Sequence, residues 1–517
     1  MENAESTATK ITVKNQHKII IVCIAAILGF RICLSNEKKK ENNLLPTNPA
    51  TIAVSIQTDF KQTASINPKI FGVNIGFAFA RELDKDSGFV QLLRDMHPVS
   101  LRFPGGTVAN WYHPNLPVYG YKANEIIPSL GGLFQLQTKR SENILGNFIR
   151  LCKAVNCGAV FCANLLTGTT DEALYVIDAL QKNNIPILGV ELGNEFCLLP
   201  YRKQFPDVPT YIDKIKNTAA AIRNKYPHLR IAVISGDAVE AMANDERSKF
   251  MRNWSLGLSK QNFFDSYVWH FYASCTPCDK DNYFDNVFTN NLTQLAPYTT
   301  NKLYKVGLNY VPIYGKERKL WITEWNISNG DFLDNTFVQG AYVAESFLYM
   351  IELNIKYNNY IELTNLHAMD GLINIYKGKQ SPILSIGNDN ATVQYFAFKF
   401  LASTLTENTQ RGTVSINSED KSITNNFICQ AFIHKKDNKT YLHFVNRSGK
   451  KIEINLPATA AQYSLTDLEA EVPYATAGKT NYEKNYPNKV QPVHYRTETF
   501  TVNKITIAPY AFGYISY

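Results

Sequence analysis

The sequence is short of charge, and what charge it has is not concentrated in one place. Charged residues make up 19% of the 517 residues, the formal net charge is +8, and the one dense basic run is Lys38–Lys40. Proteins that bind nucleic acid carry a basic patch or stripe, so nucleic acid is not expected as a partner. Internal repeats are absent as well. Hydrophobic residues reach 45%, which indicates a globular protein rather than a disordered one.

The sequence also lacks an apolar run of the length that a membrane helix needs. The stretch Ile19–Phe30 has twelve residues, whereas a spanning helix requires about 20. Lysines precede it at positions 10, 14 and 18, which is typical of a secretory signal. We therefore expect a signal peptide or N-terminal anchor over residues 1–35 and a polar linker over residues 36–50. The protein would then be secreted, periplasmic or at the cell surface, with membrane anchoring if the segment is not cleaved.

Cysteine is scarce, and its spacing argues against a metal site. Of the nine cysteines, Cys23 and Cys33 lie in the N-terminal segment, so an odd number, seven, remains. Cys275 and Cys278 form a CxxC pair, but a zinc site needs a second ligand pair and none is suitably spaced. A local disulfide and two free thiols both remain open for this pair, and a redox or metal enzyme centred on it is a weak alternative. No metal and no cofactor is predicted.

A glycine-rich phosphate loop is missing after the first predicted strand. Gly72-Val-Asn-Ile-Gly76 is not followed by a third glycine that opens a helix, which argues against a doubly wound nucleotide-binding sheet. Strands and helices nevertheless alternate from this point onward. The eight predicted strands are Ile70–Phe77, Val99–Phe103, Gly158–Leu166, Leu188–Leu192, Arg230–Ser235, Ser266–Tyr272, Lys319–Thr323 and Tyr360–Leu366. The predicted helices between them are Gly88–Met96, Asn143–Asn156, Thr170–Lys182, Tyr211–Tyr226, Asp245–Leu258 and Thr336–Leu353. This order indicates an α/β fold, a (β/α)8 TIM barrel.

The pattern changes after Asn390, where one last helix, Val393–Leu405, is followed by short alternating segments and turn residues. Such a pattern is typical of an all-β sandwich. The predicted strands are Phe427–His434, Thr440–Asn446, Lys451–Leu456, Gln462–Leu465, Glu498–Ile507 and Ala511–Tyr517. Thr51–Asp59 also alternates and reads as an exposed edge strand that pairs with this C-terminal region. We therefore expect a sandwich strand over residues 51–62, the barrel over 63–405 and the sandwich over 406–517.

Two of the predicted barrel strands end in a carboxylate. Lys319–Asn326 is an apolar strand that leads into Glu324, and the strand that begins at Ile187 leads into Asn194-Glu195. An unpaired carboxylate is costly to bury, but the carboxyl ends of barrel strands are where catalytic groups sit. Two carboxylates at one rim are the equipment of glycoside hydrolysis. Taken singly, each could instead be an ion-paired residue near a strand end, but the pair favours catalysis.

Polar and aromatic residues at neighbouring strand ends would support this pair. Arg102 ends the second strand, Asn164 lies near the end of the third, and His270 and Tyr272 end the sixth. Each has a structural alternative, namely a surface ion pair, local packing or a hydrogen-bonded core histidine. Their joint placement on one rim favours a site. The residues expected to bind substrate are Asn194, Arg102, Asn164, His270, Tyr272 and Trp325.

These motifs resemble known sequences. The chain resembles the retaining glycoside hydrolases of clan A from about Ile70 to its end. The residues that carry this resemblance are Asn194-Glu195 and Glu324. Three segments look like the alpha-L-arabinofuranosidase family: Leu101–Gly106, Asn164–Ala173 and Thr323–Asn326. Glu191-Leu-Gly-Asn-Glu195 looks equally like the heparanase and β-glucuronidase family, and Thr323–Asn326 also resembles β-xylosidases of the clan.

The resemblance implies roles for individual residues. Glu195 would be the general acid/base and Glu324 the nucleophile, with Asn194 on the sugar 2-hydroxyl. Arg102 and Tyr272 would hold Glu324, and His270 would line the subsite around the acid/base. Two positions depart from the pattern, because Asn74 stands where the arabinofuranosidases usually have an acid, and Asn365-Leu-His367 stands where the clan often has a tryptophan.

The expected function is therefore a retaining glycosidase that acts on a polysaccharide or oligosaccharide, with arabinofuranosidase activity as the first choice. The alternatives are a hydrolase like the β-glucuronidases and heparanases, one like the β-xylosidases, or a non-catalytic carbohydrate-binding protein on the same scaffold. The sugar, the linkage and exo or endo action depend on loops such as Asn110–Leu136 and Ser274–Pro312, and the sequence does not predict the shapes of these loops.

Overall fold

The computed structural model describes residues 50–76, 82–115, 122–127, 143–237, 245–274, 284–328, 333–373, 391–458, 460–477 and 492–517. The predicted N-terminal signal or anchor and the Cys275/Cys278 pair lie outside these residues. Within the described ranges, no helix has both the length and the apolar character needed to cross a bilayer. Five cysteines in the described part are buried free thiols: Cys152, Cys157, Cys162, Cys197 and Cys429.

A closed parallel barrel forms the first unit of the fold. Strand β1 (Thr51–Ser65) precedes it and belongs to the second unit. The eight barrel strands are β2 (Gly72–Asn74), β3 (Ser100–Phe103), β4 (Gly158–Ala163), β5 (Ile187–Leu192), β6 (Ile231–Ile234), β7 (Ser266–Ser274), β8 (Lys319–Ser328) and β9 (Ile361–His367). Every residue of β4 is buried, as expected of a parallel strand covered on both faces. All eight strands predicted from the sequence are confirmed.

Helices connect the strands and cover the barrel. They are α1 (Ser87–Met96), α2 (Ile144–Val155), α3 (Thr170–Lys182), α4 (Val208–Lys225), α5 (Glu246–Ser259), α6 (Phe284–Tyr314), α7 (Phe337–Lys356), α8 (Met369–Leu372) and α9 (Val393–Ala402). Thr169 begins α3 with a complete capping box, in which its hydroxyl accepts from the Glu172 amide and the Glu172 carboxylate accepts from the Thr169 amide. This arrangement satisfies amides that the first helical turn leaves without partners. The six helices predicted between strands are confirmed.

The long helix α6 differs from the prediction that Ser274–Pro312 is a loop. The helix has 31 residues and contains Pro297 and Pro312. Proline removes a backbone donor and breaks the helical pattern in a sequence, which is why the segment looked irregular. Tertiary packing outweighs that cost, because one side of α6 is buried through Leu292, Leu295, Leu303, Tyr310 and Tyr314.

The second unit is a β-sandwich whose strands form one continuous nine-stranded sheet in the order β15-β14-β17-β12-β11-β10-β1-β13-β16. Its strands after β1 are β10 (Thr409–Asn417), β11 (Phe427–His434), β12 (Lys439–Asn446), β13 (Lys451–Asn455), β14 (Tyr463–Ala470), β15 (His494–Phe500), β16 (Lys504–Ile507) and β17 (Tyr510–Ser516). The short helix α10 (Ile423–Asn426) precedes β11. The predicted pairing of the N-terminal strand with the C-terminal region is confirmed.

The position of β1 within the sheet differs from the prediction. It was expected at an exposed edge, but it lies between β10, which it pairs with in antiparallel fashion, and β13, which it pairs with in parallel. Strand β10 is not predicted from the sequence, because its residues TQRGTVSIN form a polar, weakly alternating pattern. Because β10 was missed, β1 lacked its neighbour on one side, and the half-exposed alternation of β1 looked like that of an edge strand.

The sheet uses its two faces differently. One face encloses a core of its own, to which Ile52, Val54, Phe444 and Ile505 contribute. The other face packs on α7 and α9, where Phe512 stacks on Phe337 with ring centroids 5.7 Å apart.

Close approach at this interface depends on Gly340 of α7. A Cβ atom there would lie 2.5 Å from a methyl carbon of Val393 and 2.7 Å from a ring carbon of Phe512. The sandwich therefore holds α7, the helix that follows β8, against the barrel.

A buried ion pair crosses the same interface. Nη1 of Arg447 lies 3.1 Å from Oε2 of Glu345 on α7, and the two side chains are 7% and 5% exposed. Glu345→Ala leaves the guanidinium buried without its carboxylate, so we expect it to lower the free energy of unfolding by about 3 kcal/mol. Glu352→Ala is the matched control on the exposed side of the same helix, where the expected change is below about 0.5 kcal/mol. Urea unfolding measures both variants, and equal effects would contradict the prediction.

Candidate active site

The predicted carboxylates meet at the carboxyl-terminal rim of the barrel. Glu195 follows β5, Glu324 lies in β8, and His270 of β7 is in register with Glu324. One carboxylate oxygen of Glu195, one of Glu324 and a ring nitrogen of His270 all lie within 4.8 Å of one another. Residues that are 129 positions apart in the chain (324 − 195) therefore share one small site.

Glu324 is buried and held at both oxygens. Oε1 accepts a hydrogen bond from Nη1 of Arg102 at 2.7 Å, and Oε2 accepts one from the hydroxyl of Tyr272 at 2.8 Å. Burial by itself raises the pKa of Glu324, but the charges of His270, His367 and Arg102 and the hydrogen bond from Tyr272 outweigh burial and hold the pKa well below its usual range. Glu324 is therefore ionised across the physiological pH range.

Arg102 connects Glu324 to a second buried carboxylate. Its Nε and Nη2 donate to Oε2 of Glu191 at 2.9 and 2.6 Å, and Nη2 also donates to Oδ1 of Asn194 at 2.9 Å. Burial opposes the charge of Arg102, but the charges of Glu191 and Glu324 raise its pKa above the usual value. A permanently charged, planar guanidinium thus fixes the positions of its partners.

Glu195 is paired with His270. Nδ1 of His270 lies 2.9 Å from Oε1 of Glu195 and 3.7 Å from Oε2 of Glu324, while Nε2 lies 3.1 Å from the hydroxyl of Thr323. Burial lowers the pKa of His270, but the charge of Glu324 and the hydrogen bond with Glu195 raise it above the usual value overall. Nδ1 of His270 therefore lies between the two carboxylates, which both favour its charged form. The Glu195 side chain is 24% exposed, so it faces the opening of the site.

The backbone around Glu195 is tightly shaped. Gly193 has φ of +95° and Glu195 itself has φ of +55°, a left-handed conformation that is uncommon for residues other than glycine. A Cβ atom on Gly193 would lie 2.1 Å from the ring of Phe196. The side chain of Asn110 holds this turn from outside, because its Oδ1 accepts from the Asn194 amide at 3.1 Å and its Nδ2 donates to the Asn194 carbonyl at 2.9 Å.

Asn194 has one group without a partner. Its Oδ1 accepts from Arg102, but Nδ2 is buried and has no hydrogen-bond partner among the described residues. An unsatisfied buried donor costs about 1–3 kcal/mol. At the edge of a site it is a group that a bound hydroxyl would satisfy.

Two residues that were expected to bind substrate have other contacts. Trp325 is fully buried, donates from Nε1 to the Thr364 hydroxyl at 3.2 Å, and packs edge-on against Phe347 of α7. Side chains alternate between the two faces of a strand, so Trp325 belongs to the core between the barrel and α7. Asn164 uses its amide locally, since Nδ2 donates to the Tyr112 carbonyl and the Thr167 hydroxyl and Oδ1 accepts from the Thr167 amide.

Four site residues were not predicted from the sequence. They are Asn110, Glu191, Thr323 and His367. The ring of His367 lies edge-on to that of Tyr272, with the ring centroids 5.8 Å apart. Glu191 had a usable signal, because a carboxylate inside an apolar strand predicts a cationic partner. Asn110 had none, since it lies in a segment between β3 and α2 whose path only the folded chain defines.

Glu195, His270 and Glu324 also have the residue types of a cation site. Both oxygens of Glu324 are already hydrogen-bonded to Arg102 and Tyr272, however, and the guanidinium beside them repels a divalent ion. The donor set therefore suits proton transfer and attack by a carboxylate better than metal binding.

The two hydrogen bonds between Asn110 and the Asn194 backbone give a first prediction for the site. Asn110→Ala should lower the free energy of unfolding by about 2 kcal/mol, since it leaves buried backbone groups without partners. Urea unfolding measures the change, and Asn217→Ala on the exposed side of α4 is the control. Equal stability of Asn110→Ala and the wild-type protein would contradict this role.

The lowered pKa of Glu324 gives a prediction about pH. A carboxylate whose pKa is depressed by folding stabilises the protein above its unfolded pKa of about 4.3, and the stabilisation is lost as the pH falls through the folded pKa. Glu324→Gln should therefore lower the free energy of unfolding by about 2 kcal/mol at pH 7, and by less as the pH falls below about 4.3. Unfolding between pH 7 and pH 3 measures this, with Glu407→Gln on the surface as control. A difference that does not change with pH would contradict it.

The amino-acid sequence matches no protein-family model and no curated protein, but its fold resembles solved structures. The GH51 alpha-L-arabinofuranosidase of Thermotoga petrophila RKU-1 is 15% identical, with 90% of this chain and 100% of that chain covered and a TM-score of 0.63. AbfB of Bifidobacterium longum, a family 51 alpha-L-arabinofuranosidase, is 14% identical, with coverage of 91% and 99% and a TM-score of 0.61. A 4-O-alpha-L-rhamnosyl-beta-D-glucuronidase of Fusarium oxysporum 12S is 12% identical, with coverage of 90% and 99% and a TM-score of 0.54.

These identities are low, so the likeness concerns the fold. The chain shares the architecture of the arabinofuranosidases and the glucuronidase over nearly the full length of each. The fold class predicted from the sequence, a TIM barrel with a β-sandwich, is thereby confirmed, and so is the resemblance of the fold to solved glycosidases.

Proposed function

We propose that this protein is a retaining glycoside hydrolase that cleaves O-glycosidic bonds of a polysaccharide or oligosaccharide by double displacement. The observation that carries the proposal is that one carboxylate oxygen of Glu195 lies within 4.8 Å of one of Glu324 at a barrel rim. Retaining glycosidases have carboxyl groups about 5–5.5 Å apart, whereas inverting enzymes need about 6.5–9.5 Å to admit a water molecule. The short separation therefore favours attack by one carboxylate on the sugar.

The two carboxylates differ in the way that this chemistry requires. Glu324 is buried, ionised and held by Arg102 and Tyr272, so it is the nucleophile that bonds to the anomeric carbon. Glu195 is more exposed and lies 2.9 Å from Nδ1 of His270, so we assign it the role of the acid that protonates the leaving oxygen. In the second step Glu195 takes a proton from water, the water oxygen attacks the anomeric carbon, and Glu324 leaves as a carboxylate.

Asn194 supports the same transition state. Its Nδ2 is a buried donor without a partner, beside an oxygen that Arg102 already holds in place. A sugar 2-hydroxyl above Glu324 would accept from this group, and hydrogen bonds to that hydroxyl strengthen in the transition state. The assignment gives this buried donor a hydrogen-bond partner.

An alpha-L-arabinofuranoside is the first substrate that we propose. It is supported by the motifs Leu101–Gly106 and Asn164–Ala173 and by the fold likeness to two arabinofuranosidases. A β-glucuronide is the second candidate, supported by Glu191-Leu-Gly-Asn-Glu195 and by the likeness to the Fusarium glucuronidase. Secretion or display at the cell surface, suggested by the segment over residues 1–35, is part of the proposal because polymeric glycans lie outside the cell.

A panel of aryl glycosides tests the function. The panel contains the arabinofuranoside, glucuronide, xyloside, galactoside and glucoside. We expect turnover of the arabinofuranoside, the glucuronide or the xyloside. Glu324→Ala should abolish turnover, and Glu195→Ala should lower kcat/KM about 10²- to 10⁴-fold for a poor leaving group. Glu195→Ala should act much less on a 2,4-dinitrophenyl glycoside, because that leaving group needs no protonation.

Azide separates the two roles. With Glu195→Ala, azide should attack the glycosyl-enzyme and give a glycosyl azide of retained configuration. With Glu324→Ala, azide should replace the nucleophile and give the inverted anomer. Glu407→Ala on the surface is the control and should keep wild-type rates. Full activity of Glu324→Ala would disprove the proposal, and sugar binding without turnover of any glycoside would favour a non-catalytic carbohydrate-binding protein.

A further inference from the structure

A third carboxylate lies beneath the catalytic pair. Glu191 is in β5, opposite Cys162 of β4 and Ala232 of β6 in the barrel register, and is fully buried. Its Oε2 accepts two hydrogen bonds from Arg102, at 2.9 and 2.6 Å, while its Oε1 has no partner among the described residues. The carboxylate is too deep to reach a sugar, so any effect on catalysis passes through Arg102.

The direction of the Arg102 guanidinium depends on Glu191. Two of its three nitrogens, Nε and Nη2, donate to Glu191, and this leaves Nη1 for Glu324. Because the guanidinium is planar and rigid, fixing two nitrogens fixes the direction of the third. Without Glu191, that side of the group would be held by Oδ1 of Asn194 and, at 3.8 Å, by the sulfur of Cys162, both of which accept from Nη2.

The positive charge of Arg102 interacts with two carboxylates at once. One guanidinium lies between two buried carboxylates, Glu191 and Glu324. If Glu191 were neutral, the charge of Arg102 would act on Glu324 without offset and would make it a weaker nucleophile. The same charge opposes protonation of His270.

His270 reports on this balance because charged groups surround it from several strands. Glu195 faces it from the end of β5, Glu324 and Thr323 from β8, and Arg102 from β3. Tyr272 on its own strand and His367 at the end of β9 complete the set, since both interact with Glu324.

We propose that Glu191 is a positioning residue, which directs Arg102 toward Glu324 and offsets the charge of Arg102 at Glu324 and at the Glu195–His270 pair. The inference rests on the proposed function of the same site. It assigns to Glu191 no contact with substrate and no share in proton transfer.

Glu191→Gln tests the proposal, because the amide oxygen can still accept from Arg102 but carries no charge. We expect kcat/KM to fall about 10- to 100-fold, through kcat rather than KM. The alkaline limb of the kcat/KM profile should move to lower pH by about half a unit, because an unopposed guanidinium charge disfavours protonation of its neighbours. Glu191→Asp, which keeps the charge, should keep the wild-type limb.

Glu362→Gln is the matched control. Glu362 is also bonded to an arginine, Arg230, and to Trp321, but it lies near the start of β9, at the opposite end of the barrel. The Glu362→Gln variant should leave both limbs of the pH profile of kcat/KM unchanged, even if the substitution lowers stability. Circular dichroism and thermal melts would show that every variant is folded.

A second measurement does not depend on activity. Side-chain NMR of ¹³C-labelled histidine, assigned with His270→Gln, should show a lower pKa for His270 in Glu191→Gln than in the wild-type protein. A wild-type pH profile and an unchanged His270 titration in Glu191→Gln would overturn the proposal. If the wild-type protein hydrolyses no glycoside, the proposed function fails, and the His270 titration still decides whether Glu191 offsets Arg102.

Discussion

The site is organised by one buried guanidinium. Arg102 is inaccessible to solvent and donates to Glu191, Asn194 and Glu324. A buried charge is tolerated only when it is paired and hydrogen-bonded, so β3, β8 and the end of β5 must meet around it. The constraint that keeps Arg102 satisfied is therefore the same one that brings the two rim carboxylates together.

The rest of the structure supports that arrangement from outside. Asn110 holds the left-handed turn at Glu195 through the backbone of Asn194. The sandwich packs on α7, which follows β8, and Gly340 allows the aromatic side chain of Phe512 to approach closely. The sandwich thus has a structural task at the barrel, since it fixes the helix that covers the strand carrying Glu324.

Prediction from the sequence succeeded where local pattern and tertiary structure agree. Parallel barrel strands are buried on both faces, so they appear as continuous apolar runs, and all eight were found. Prediction failed where packing overrode the local signal. Helix α6 contains two prolines that conceal it in the sequence, and β10 has a polar pattern that left β1 looking like an edge strand.

For the site, the sequence determined which residue types end the strands, because a carboxylate at the end of an apolar strand is explained best by a place at a barrel rim. Glu195, Glu324, Arg102, His270 and Tyr272 follow from that argument.

Only the tertiary structure decided which way each side chain points and what it contacts. It directed Trp325 into the core, satisfied Asn164 locally, and placed Asn110 and Glu191 behind the catalytic pair. The reason is that strand order is encoded locally, whereas hydrogen-bond partners between distant strands depend on barrel closure and register, which no local segment specifies.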